Sequence, residues 1–393
     1  MNLDEIQHLL IENRIDGWLL YDFRELNPIA RSVAGIAATG ITRRWFCYLR
    51  AQGEPVWLVH RIETSHFSHV TGEVRVYTSW RELHGQMGTL LSDSDKVAME
   101  YSPNASIPYV SRVDAGTIDL VRSFGTEVIS SADLVQLIEA RWTADQLAGH
   151  QESARLILEA KDLAFAWMSE QMRRNNTVTE YDVQRFILDR FEAMDLTPGH
   201  PPIVAVNANS SDPHYSPTAT KTQPIQPGDF VLIDLWAKQK SLNTVYADVT
   251  WVAYAGETVP QRYVKIFEIV RDARDRAVTH IREMVAAGNK VYGYAVDDVV
   301  RDYITEKGYG EFFIHRTGHS IGTEIHGNSV NIDNFETRDE RALIPGICFS
   351  IEPGIYLPEF GVRSEIDVFL AHLAPDGVIV TTVPVQNKVL TLL

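Results

Sequence analysis

The stretch FSIEPGIYLPEFGVRSEIDVFL, residues 349–370, is the part of the sequence that decides the fold. Apolar residues on both sides of its segment YLPEFG predict two strands joined as a β-hairpin. Glu352 and Glu365 flank this connection, so the hairpin would bring the two carboxylates close together. An ionised carboxylate in an apolar strand is costly unless it is paired or bound to a metal. The pair therefore indicates a metal site.

A second acidic pair lies upstream in two further apolar stretches. VLIDLW carries Asp234 and VYADVTWV carries Asp248, with the polar segment KQKSLN between them. If a hairpin turn centres on Ser241, the two aspartates lie directly opposite each other, about 5 Å apart at Cβ. Both could then bind the same pair of metals.

A histidine in the glycine-flanked segment HRTGHSIG completes the set. Four carboxylates and one imidazole in such surroundings are hard to explain as packing, whereas these donors suit two divalent cations such as Mn, Co, Zn or Fe. Metals about 3.5–4 Å apart, bridged by carboxylates, form the usual two-metal hydrolytic site. The predicted ligands are Asp234, Asp248, His319, Glu352 and Glu365.

Composition limits the class of protein. The 393 residues are enough for two domains, and the formal net charge of −16 argues against nucleic acid or an anionic membrane as a partner. No apolar run reaches the length of a transmembrane helix, and the amino-terminal residues are acidic where a signal peptide is basic. Two cysteines, Cys47 and Cys348, are too few for a disulfide framework, and we expect Cys348 in the core. We expect a cytoplasmic protein with no nucleic-acid or membrane partner.

The order Asp, Asp, His, Glu, Glu in these contexts resembles the pita-bread metallopeptidases, in particular their prolidase and aminopeptidase P branch. GHSIGTEIHG is similar to that branch's GHGIGLEVHE, and FSIEPGIYLPEFGVRSEID is similar to its FSVEPGIY…GVRIED. A weaker resemblance to the creatinase-type amino-terminal domain runs through residues 1–140. Together these imply an α/β (α+β) chain, with a creatinase-like domain at 1–145 and a pita-bread catalytic domain at 146–393.

Helical periodicity agrees with this division. Thr143 and Gln146 form a capping-box pattern at the start of the predicted second domain. Helical spacing of apolar residues predicts helices over residues 1–15, 109–124, 151–174, 178–194 and 259–284.

The resemblance implies hydrolysis of the Xaa-Pro imide bond in dipeptides, with a hydroxide bridging two metals as the nucleophile. Mn is the expected metal, with Co, Zn or Fe as alternatives, and a homodimer is the expected assembly. Two alternatives share the fold: an aminopeptidase P that acts on longer Xaa-Pro peptides, and a hydrolase or lyase of a small non-peptide substrate. A non-catalytic binding module is a further alternative, which the intact ligand set argues against.

Three residues are candidates for the chemistry itself. Glu352, besides binding metal, is the best candidate to accept and pass on a proton. His214 lies in the polar loop NANSSDPHYSPT, and His326 follows the predicted histidine ligand by seven residues. The resemblance implies that both histidines lie beside the substrate and that His326 hydrogen-bonds the substrate carbonyl or the oxyanion.

Three other side chains have open roles. Arg363 either hydrogen-bonds a ligand carboxylate or intermediate, or is a charge partner that holds Glu365. Arg338 resembles the prolidase arginine that binds the free carboxylate of a dipeptide, although Arg341 leaves the register open. Tyr246 resembles a tyrosine near the metals, which either orients a ligand or packs.

The chain departs from the family pattern at two places. The family often has Asp-x-Gly at the first ligand, where this chain has Asp234, Leu235 and Trp236. It often has an arginine after the threonine that follows the second aspartate, where this chain has Trp251 after Thr250. No predicted metal ligand is lost. The departures leave undetermined which residues form the walls of the substrate pocket.

Overall fold

The computed structural model describes residues 2–241 and 243–393, which form two compact units that divide between Ala140 and Arg141. Helices and strands are both substantial in each unit, which confirms the expected α/β class. The predicted division after residue 145 lies within the first helix of the second unit. Within the described ranges, no helix combines the length and the apolar character needed to cross a membrane.

The first unit is built on one sheet with strand order β4-β3-β2-β1-β5-β6. Its strands are β1 (Gly17–Asp22), β2 (Trp45–Arg50), β3 (Val56–His60), β4 (Glu73–Tyr77), β5 (Lys96–Met99) and β6 (Glu127–Ser130). Its helices are α1 (Leu3–Glu12), α2 (Pro28–Ala34), α3 (Trp80–Leu91), α4 (Ala115–Arg122) and α5 (Ala132–Ile138).

Two ladders of this sheet, β1–β2 and β2–β3, are antiparallel, and the other pairings are parallel. The helix predicted over residues 109–124 is shorter, because the Asp114 side chain accepts from the Thr117 N–H and starts the helix there. A separate 3₁₀ turn precedes it.

The second unit opens with a long helix whose start agrees with the capping-box prediction. The Thr143 hydroxyl accepts from the Gln146 N–H, and the Gln146 side chain accepts from the Thr143 N–H. The helices of this unit are α6 (Ala144–Arg173), α7 (Glu180–Ala193), α8 (Gln261–Ala286) and α9 (Gly293–Glu306).

The strands of the second unit form three sheets. One has the order β17-β10-β9-β7 with β8 also paired to β9, another has the order β11-β12-β15-β16, and β13 pairs with β14. The strands are β7 (Leu196–Thr197), β8 (Ile203–Val206), β9 (Phe230–Gln239), β10 (Ala247–Tyr254), β11 (Ser320–Ile321), β12 (Ile347–Ile351), β13 (Gly354–Leu357), β14 (Phe360–Arg363), β15 (Ile366–Leu370), β16 (Val378–Val380) and β17 (Leu390–Thr391).

The two faces of the β9–β10 hairpin belong to different cores. Val231, Ile233 and Leu235 face the cluster that includes apolar residues of α6 and α7. Phe230 and Leu232, on the alternate face, belong to the cluster that includes residues of α8, α9 and the sheet of β12 and β15. Because side chains alternate along a strand, polar residues on the same face as Phe230 and Leu232 lie between the sheet of β9 and β10 and the sheet of β12 and β15. This face positions the candidate site.

Candidate metal centre

The register of the β9–β10 hairpin places both predicted aspartate ligands on one face. Asp234 pairs with Thr250, and Asp248 pairs with Trp236. The expectation that a turn centred on Ser241 sets the aspartates directly opposite each other is therefore wrong, because the ladder is displaced by two residues. A shift of the register by two residues keeps each side chain on the same face of the hairpin. The two aspartates are therefore diagonal neighbours on that face.

The second acidic pair is placed as the hairpin argument predicts. The ladder of β12 with β15 ends at the pair Ile351–Ile366, and Glu352 and Glu365 are the next residues on each strand. The ladder of β13 with β14 continues in the same register beyond them. The two glutamates thus lie opposite each other between two paired segments, and their backbones are held on both sides.

His319 lies against both acidic pairs. Its Nδ1 is 3.1 Å from the Ser320 carbonyl oxygen, so an Nδ1–H donated there leaves Nε2 as the acceptor atom. Nε2 lies 3.6 Å from Asp248 Oδ2 and 3.4 Å from Glu352 Oε1. The Ser350 hydroxyl accepts from the His319 N–H and donates to Glu352 Oε1, which fixes the two residues relative to each other.

The cluster concentrates negative charge where water is scarce. Asp234, Asp248 and Glu365 are all buried. Burial raises the pKa of Asp248 and of Glu365 well above the usual range, and the neighbouring carboxylates raise both further. Burial also raises the pKa of Glu352, against the opposing charges of His319 and Arg363. Cations are needed if these groups are to be ionised together at neutral pH.

The residues present fit divalent cations. Asp248, His319 and Glu365 each offer one ligand atom, and these atoms lie within 4.8 Å of one another. Oδ1 of Asp234, Oδ1 of Asp248 and Oε1 of Glu365 are buried and have no hydrogen-bond partner in the described part of the chain. A buried acceptor without a partner is costly, and a bound cation removes that cost. Oxygen donors with one imidazole suit the divalent metals predicted above.

Arg363 is the counter-ion inside the cluster. Its guanidinium pairs with Asp234, and its Nε lies 3.8 Å from Glu352 Oε2. Nε also donates to the Thr250 hydroxyl at 3.1 Å, and Thr250 donates to Glu365 Oε2 at 2.8 Å. Its ion pairs are thus with Asp234 and Glu352, and the neutral Thr250 hydroxyl links it to Glu365, so both predicted roles stay predictions.

The two predicted non-ligand histidines lie next to the cluster. The rings of His326 and His319 meet edge to face, with centroids 4.4 Å apart. The charge of His319 is the chief cause that lowers the pKa of His326, to about 2, and burial and the charges of Arg316 and His214 add to it. His326 is therefore neutral at working pH. His214 is exposed, and its backbone N–H donates to Asp212 Oδ1 at 3.0 Å.

The other two predicted substrate residues have different surroundings. Tyr246 is buried with Ile321, Cys348 and Phe369, and its N–H donates to the Gly322 carbonyl. Tyr246 thus packs beneath the loop that carries His319.

Arg338 is an exposed arginine. Its side chain is 58% exposed, its Nε lies 3.0 Å from Glu340 Oε1, and its guanidinium lies 4.5 Å from the centre of the Tyr294 ring. Among the described residues, no contact joins Arg338 to the five predicted ligands.

Two buried residues that the sequence reasoning missed also serve the cluster. Arg316 is buried, and its Nη1 lies 4.0 Å from Glu336 Oε2. After burial, the charge of Arg316 helps to lower the pKa of His319, which follows it by three positions. Asp367 accepts from the Asp248 N–H at 2.9 Å. Each had a signal in the sequence: an arginine within the glycine-flanked histidine loop, and a second acid two positions after Glu365 on an apolar strand.

Comparisons with known proteins agree with this geometry. Residues 148–372 match the model of Metallopeptidase family M24. An Xaa-Pro dipeptidase of Lactobacillus helveticus is 36% identical over 164 residues, which are 42% of this chain and 40% of that protein. The chain thus matches less than half the length of this curated relative.

Two solved structures share the fold. The dipeptidase PepE of Mycobacterium ulcerans has a TM-score of 0.75 at 21% identity, over 99% of this chain and 96% of that chain. An X-prolyl aminopeptidase of Caenorhabditis elegans, described as a cytosolic enzyme with a di-nuclear active site, has a TM-score of 0.66 at 17% identity, over 98% of this chain and 62% of that chain. At these identities the likeness establishes the fold alone.

Proposed function

The chain belongs to metallopeptidase family M24, and on that premise we propose that it hydrolyses the Xaa-Pro imide bond of dipeptides. Its catalytic unit has the pita-bread fold. The observation that carries the proposal is the set of buried carboxylate oxygens on Asp234, Asp248 and Glu365 that lack a hydrogen-bond partner within the described ranges. The likeness to an Xaa-Pro dipeptidase supports the choice of bond.

Two divalent cations are the proposed cofactor. When bound, they polarise the scissile carbonyl and lower the pKa of a water molecule toward neutral pH. We propose Mn because carboxylate donors suit it, although Co, Zn and Fe accept the same donors. The residues that would hold them are Asp234, Asp248, His319, Glu352 and Glu365.

Glu352 is the proposed proton carrier, from the attacking water to the proline nitrogen. Its side chain is 15% exposed, against 6% for Asp248 and 9% for Asp234, so it is the carboxylate of these three that water reaches most easily. The Ser350 hydroxyl holds its Oε1 at 3.2 Å, which keeps the carboxylate oriented while a proton passes.

His326 and His214 are the proposed donors to the oxyanion. A neutral imidazole can donate one N–H to the oxygen that becomes negative as water adds to the carbonyl. The edge-to-face contact between the His326 and His319 rings supports this role, because a carbonyl bound at the metal site would approach His319 and its neighbours. His214 adds a second imidazole from the neighbouring loop.

Dipeptide preference requires a cation for the free carboxylate of proline, and the chain offers two. Arg338 stays a prediction from the family resemblance. Arg316 is the alternative, because it is buried and its charge acts on His319 and His326. A guanidinium binds a carboxylate through two parallel hydrogen bonds, which suits either residue.

The exposed position of Arg338 favours a second candidate function. If neither arginine binds the proline carboxylate, longer Xaa-Pro peptides fit as well as dipeptides, and the enzyme is an aminopeptidase P. We also propose a cytoplasmic location, which the two buried free cysteines Cys47 and Cys348 suit, and a homodimer, as the resemblance implies.

The test compares hydrolysis of Ala-Pro and Ala-Pro-Ala. Protein stripped with a chelator is assayed before and after addition of Mn, Co or Zn, with bound metal counted by elemental analysis. Metal-restored cleavage of Ala-Pro alone is the expected result. Cleavage of Ala-Pro-Ala would establish the aminopeptidase, and cleavage of neither peptide with two metals bound would refute both.

A further inference from the structure

Trp236 lies on the ligand-bearing face of the β9–β10 hairpin. It pairs directly with Asp248 and follows Asp234 by two positions, so its side chain leaves the sheet on the same side as both carboxylates. Directly paired residues have Cβ atoms about 5 Å apart. The indole therefore borders the predicted metal site on the side of Asp248. Arg363 lies on the side of Asp234, with which it pairs.

The indole forms part of a wall. Trp236 is partly buried and packs against the buried cluster of Tyr246, Ile321, Cys348 and Phe369. Ile325, the neighbour of His326, packs against the same cluster. The indole and the segment that carries His326 therefore pack against the same buried cluster, and the indole is next to Asp248 in the ladder.

The polar atom of this wall has no partner. Trp236 Nε1 is buried and makes no hydrogen bond to any described residue. An indole N–H is only a donor, and a buried donor without an acceptor is costly. A ligand that brings a carbonyl or carboxylate oxygen to this place removes the cost.

We propose that Trp236 determines specificity by limiting the size of the residue before the scissile bond and by donating its N–H to the bound peptide. The inference deepens the proposed function and rests on it. In this proposal the bound peptide has its carboxylate end toward Arg316 and the residue before proline toward the side of the site next to Asp248. The residue before proline then lies against the indole, which leaves room for Gly or Ala but not for Leu or Phe.

The test measures kcat/KM on Gly-Pro, Ala-Pro, Leu-Pro and Phe-Pro for the metal-loaded protein and two variants. Trp236→Gly opens the wall and should raise the ratio of Leu-Pro to Gly-Pro at least about tenfold, since pocket volume commonly gives such discrimination. Trp236→Phe keeps most of the wall but lacks the donor. It should lower kcat/KM about three- to tenfold on all four peptides with the ratio nearly unchanged.

Trp251→Phe is the matched control, because Trp251 lies on the same hairpin but faces the helices α6 and α7. It should leave the ratio unchanged. Metal content and thermal unfolding establish that each variant is folded. If Trp236→Gly fails to fold, Trp236→Ala, which also removes the indole, tests the ratio in its place.

The outcomes separate the two proposals. An active wild type whose ratio does not change in Trp236→Gly, or whose kcat/KM does not fall in Trp236→Phe, overturns the role of Trp236 alone. A wild type that cleaves none of the four peptides with two metals bound overturns the proposed function, and the role of Trp236 fails with it.

Discussion

Arg363 is the residue that allows four carboxylates to share one interior site. It is 3% exposed and pairs with Asp234 while its Nε faces Glu352. Removal of one partner of a buried ion pair leaves an uncompensated charge, which costs far more than the loss of a surface pair. Metal and guanidinium thus neutralise the same set of acids.

We expect Arg363→Ala to lower the free energy of unfolding by about 3–5 kcal/mol in metal-free protein, and by less when Mn is bound. The cation would replace part of the lost positive charge. Urea unfolding with and without Mn measures both values. The control is Arg338→Ala, whose exposed pair with Glu340 should contribute at most about 1 kcal/mol. An equal loss with and without Mn would contradict the shared neutralisation.

The roles of Arg316 and Arg338 can be separated by the charge of the carboxy-terminal group of the substrate. If Arg316 binds the proline carboxylate, Arg316→Gln should lower kcat/KM for Ala-Pro by about 10- to 100-fold, the usual loss for a charge-assisted hydrogen bond. It should affect the amide Ala-Pro-NH₂ much less, because the amide has no charge to bind. If Arg338 binds the proline carboxylate instead, Arg338→Gln should show the large loss on Ala-Pro and the small loss on Ala-Pro-NH₂.

At the scale of elements, the two hairpins show what the sequence could predict and what it could not. Glu352 and Glu365 flank a short connection whose Pro and Gly restrict the turn, so the prediction that they lie close together agrees with the observed register. The connection after Asp234 is longer and polar, with no Pro or Gly to restrict it, and counting gave a register two residues away. The prediction that both aspartates lie on the same face of the hairpin still agrees with the structure, because the alternation of apolar residues along each strand specifies the face.

Long-range contacts were beyond sequence reasoning for a different reason. No pattern near Thr250 or Asp367 shows that the first joins Arg363 to Glu365, or that the second supports the Asp248 backbone. These contacts link strands far apart in the chain and depend on how the sheets meet. The role of Arg338 stays a prediction for the same reason, since its spacing carries no information on where its loop packs.

Gly318 controls how closely the histidine loop approaches β12. A Cβ at this position would lie 1.9 Å from the Ser350 carbonyl oxygen, so Gly318→Ala must push the loop away. We expect His319 to move with it and Co binding to weaken at least about tenfold, which the visible absorption of bound Co would report. Gly85→Ala, on an open face of α3, is the control and should leave Co binding unchanged.

Glu100 joins three elements of the first unit and makes its stability depend on pH. The carboxylate accepts from Trp18 in β1, from Asn27 at the cap of α2 and from Ser131 before α5. Burial raises its pKa to about 7, so the folded state holds a proton that the unfolded state releases near pH 4.5. The stability it contributes is present below pH 4.5 and is lost as pH rises toward 7.

We therefore expect the free energy of unfolding to fall by about 2.5 kcal/mol more in wild type than in Glu100→Gln between pH 5 and pH 8. Urea titrations at the two pH values measure the difference. Glu63→Gln serves as the control, because the pKa of Glu63 is lowered and it does not titrate in this window. Equal slopes in wild type and Glu100→Gln would contradict the assignment.

At the scale of the whole molecule, every predicted ligand lies in the second unit, residues 141–393. A cation that binds only the folded state stabilises it by about 4 kcal/mol when its concentration is 1,000 times the Kd. We expect a chelator to lower the melting temperature of the second unit and to leave that of the first unit unchanged. Differential scanning calorimetry with and without the chelator measures the two melting temperatures. Equal shifts of both transitions would contradict the prediction that metal stabilises only the second unit.

The ligands come from strands widely separated in the chain, and this has a consequence for biosynthesis. Asp234 and Asp248 are translated more than a hundred residues before Glu352 and Glu365. When the β9–β10 hairpin has been made, the strands β12 to β15 and Arg363 are therefore not yet present to balance its charges. Contacts of such sequence separation form late in folding. A nascent chain would hold metal weakly, and metal would be acquired only after the last ligand strand has docked. Metal supply would then govern the yield of active enzyme rather than the yield of folded protein.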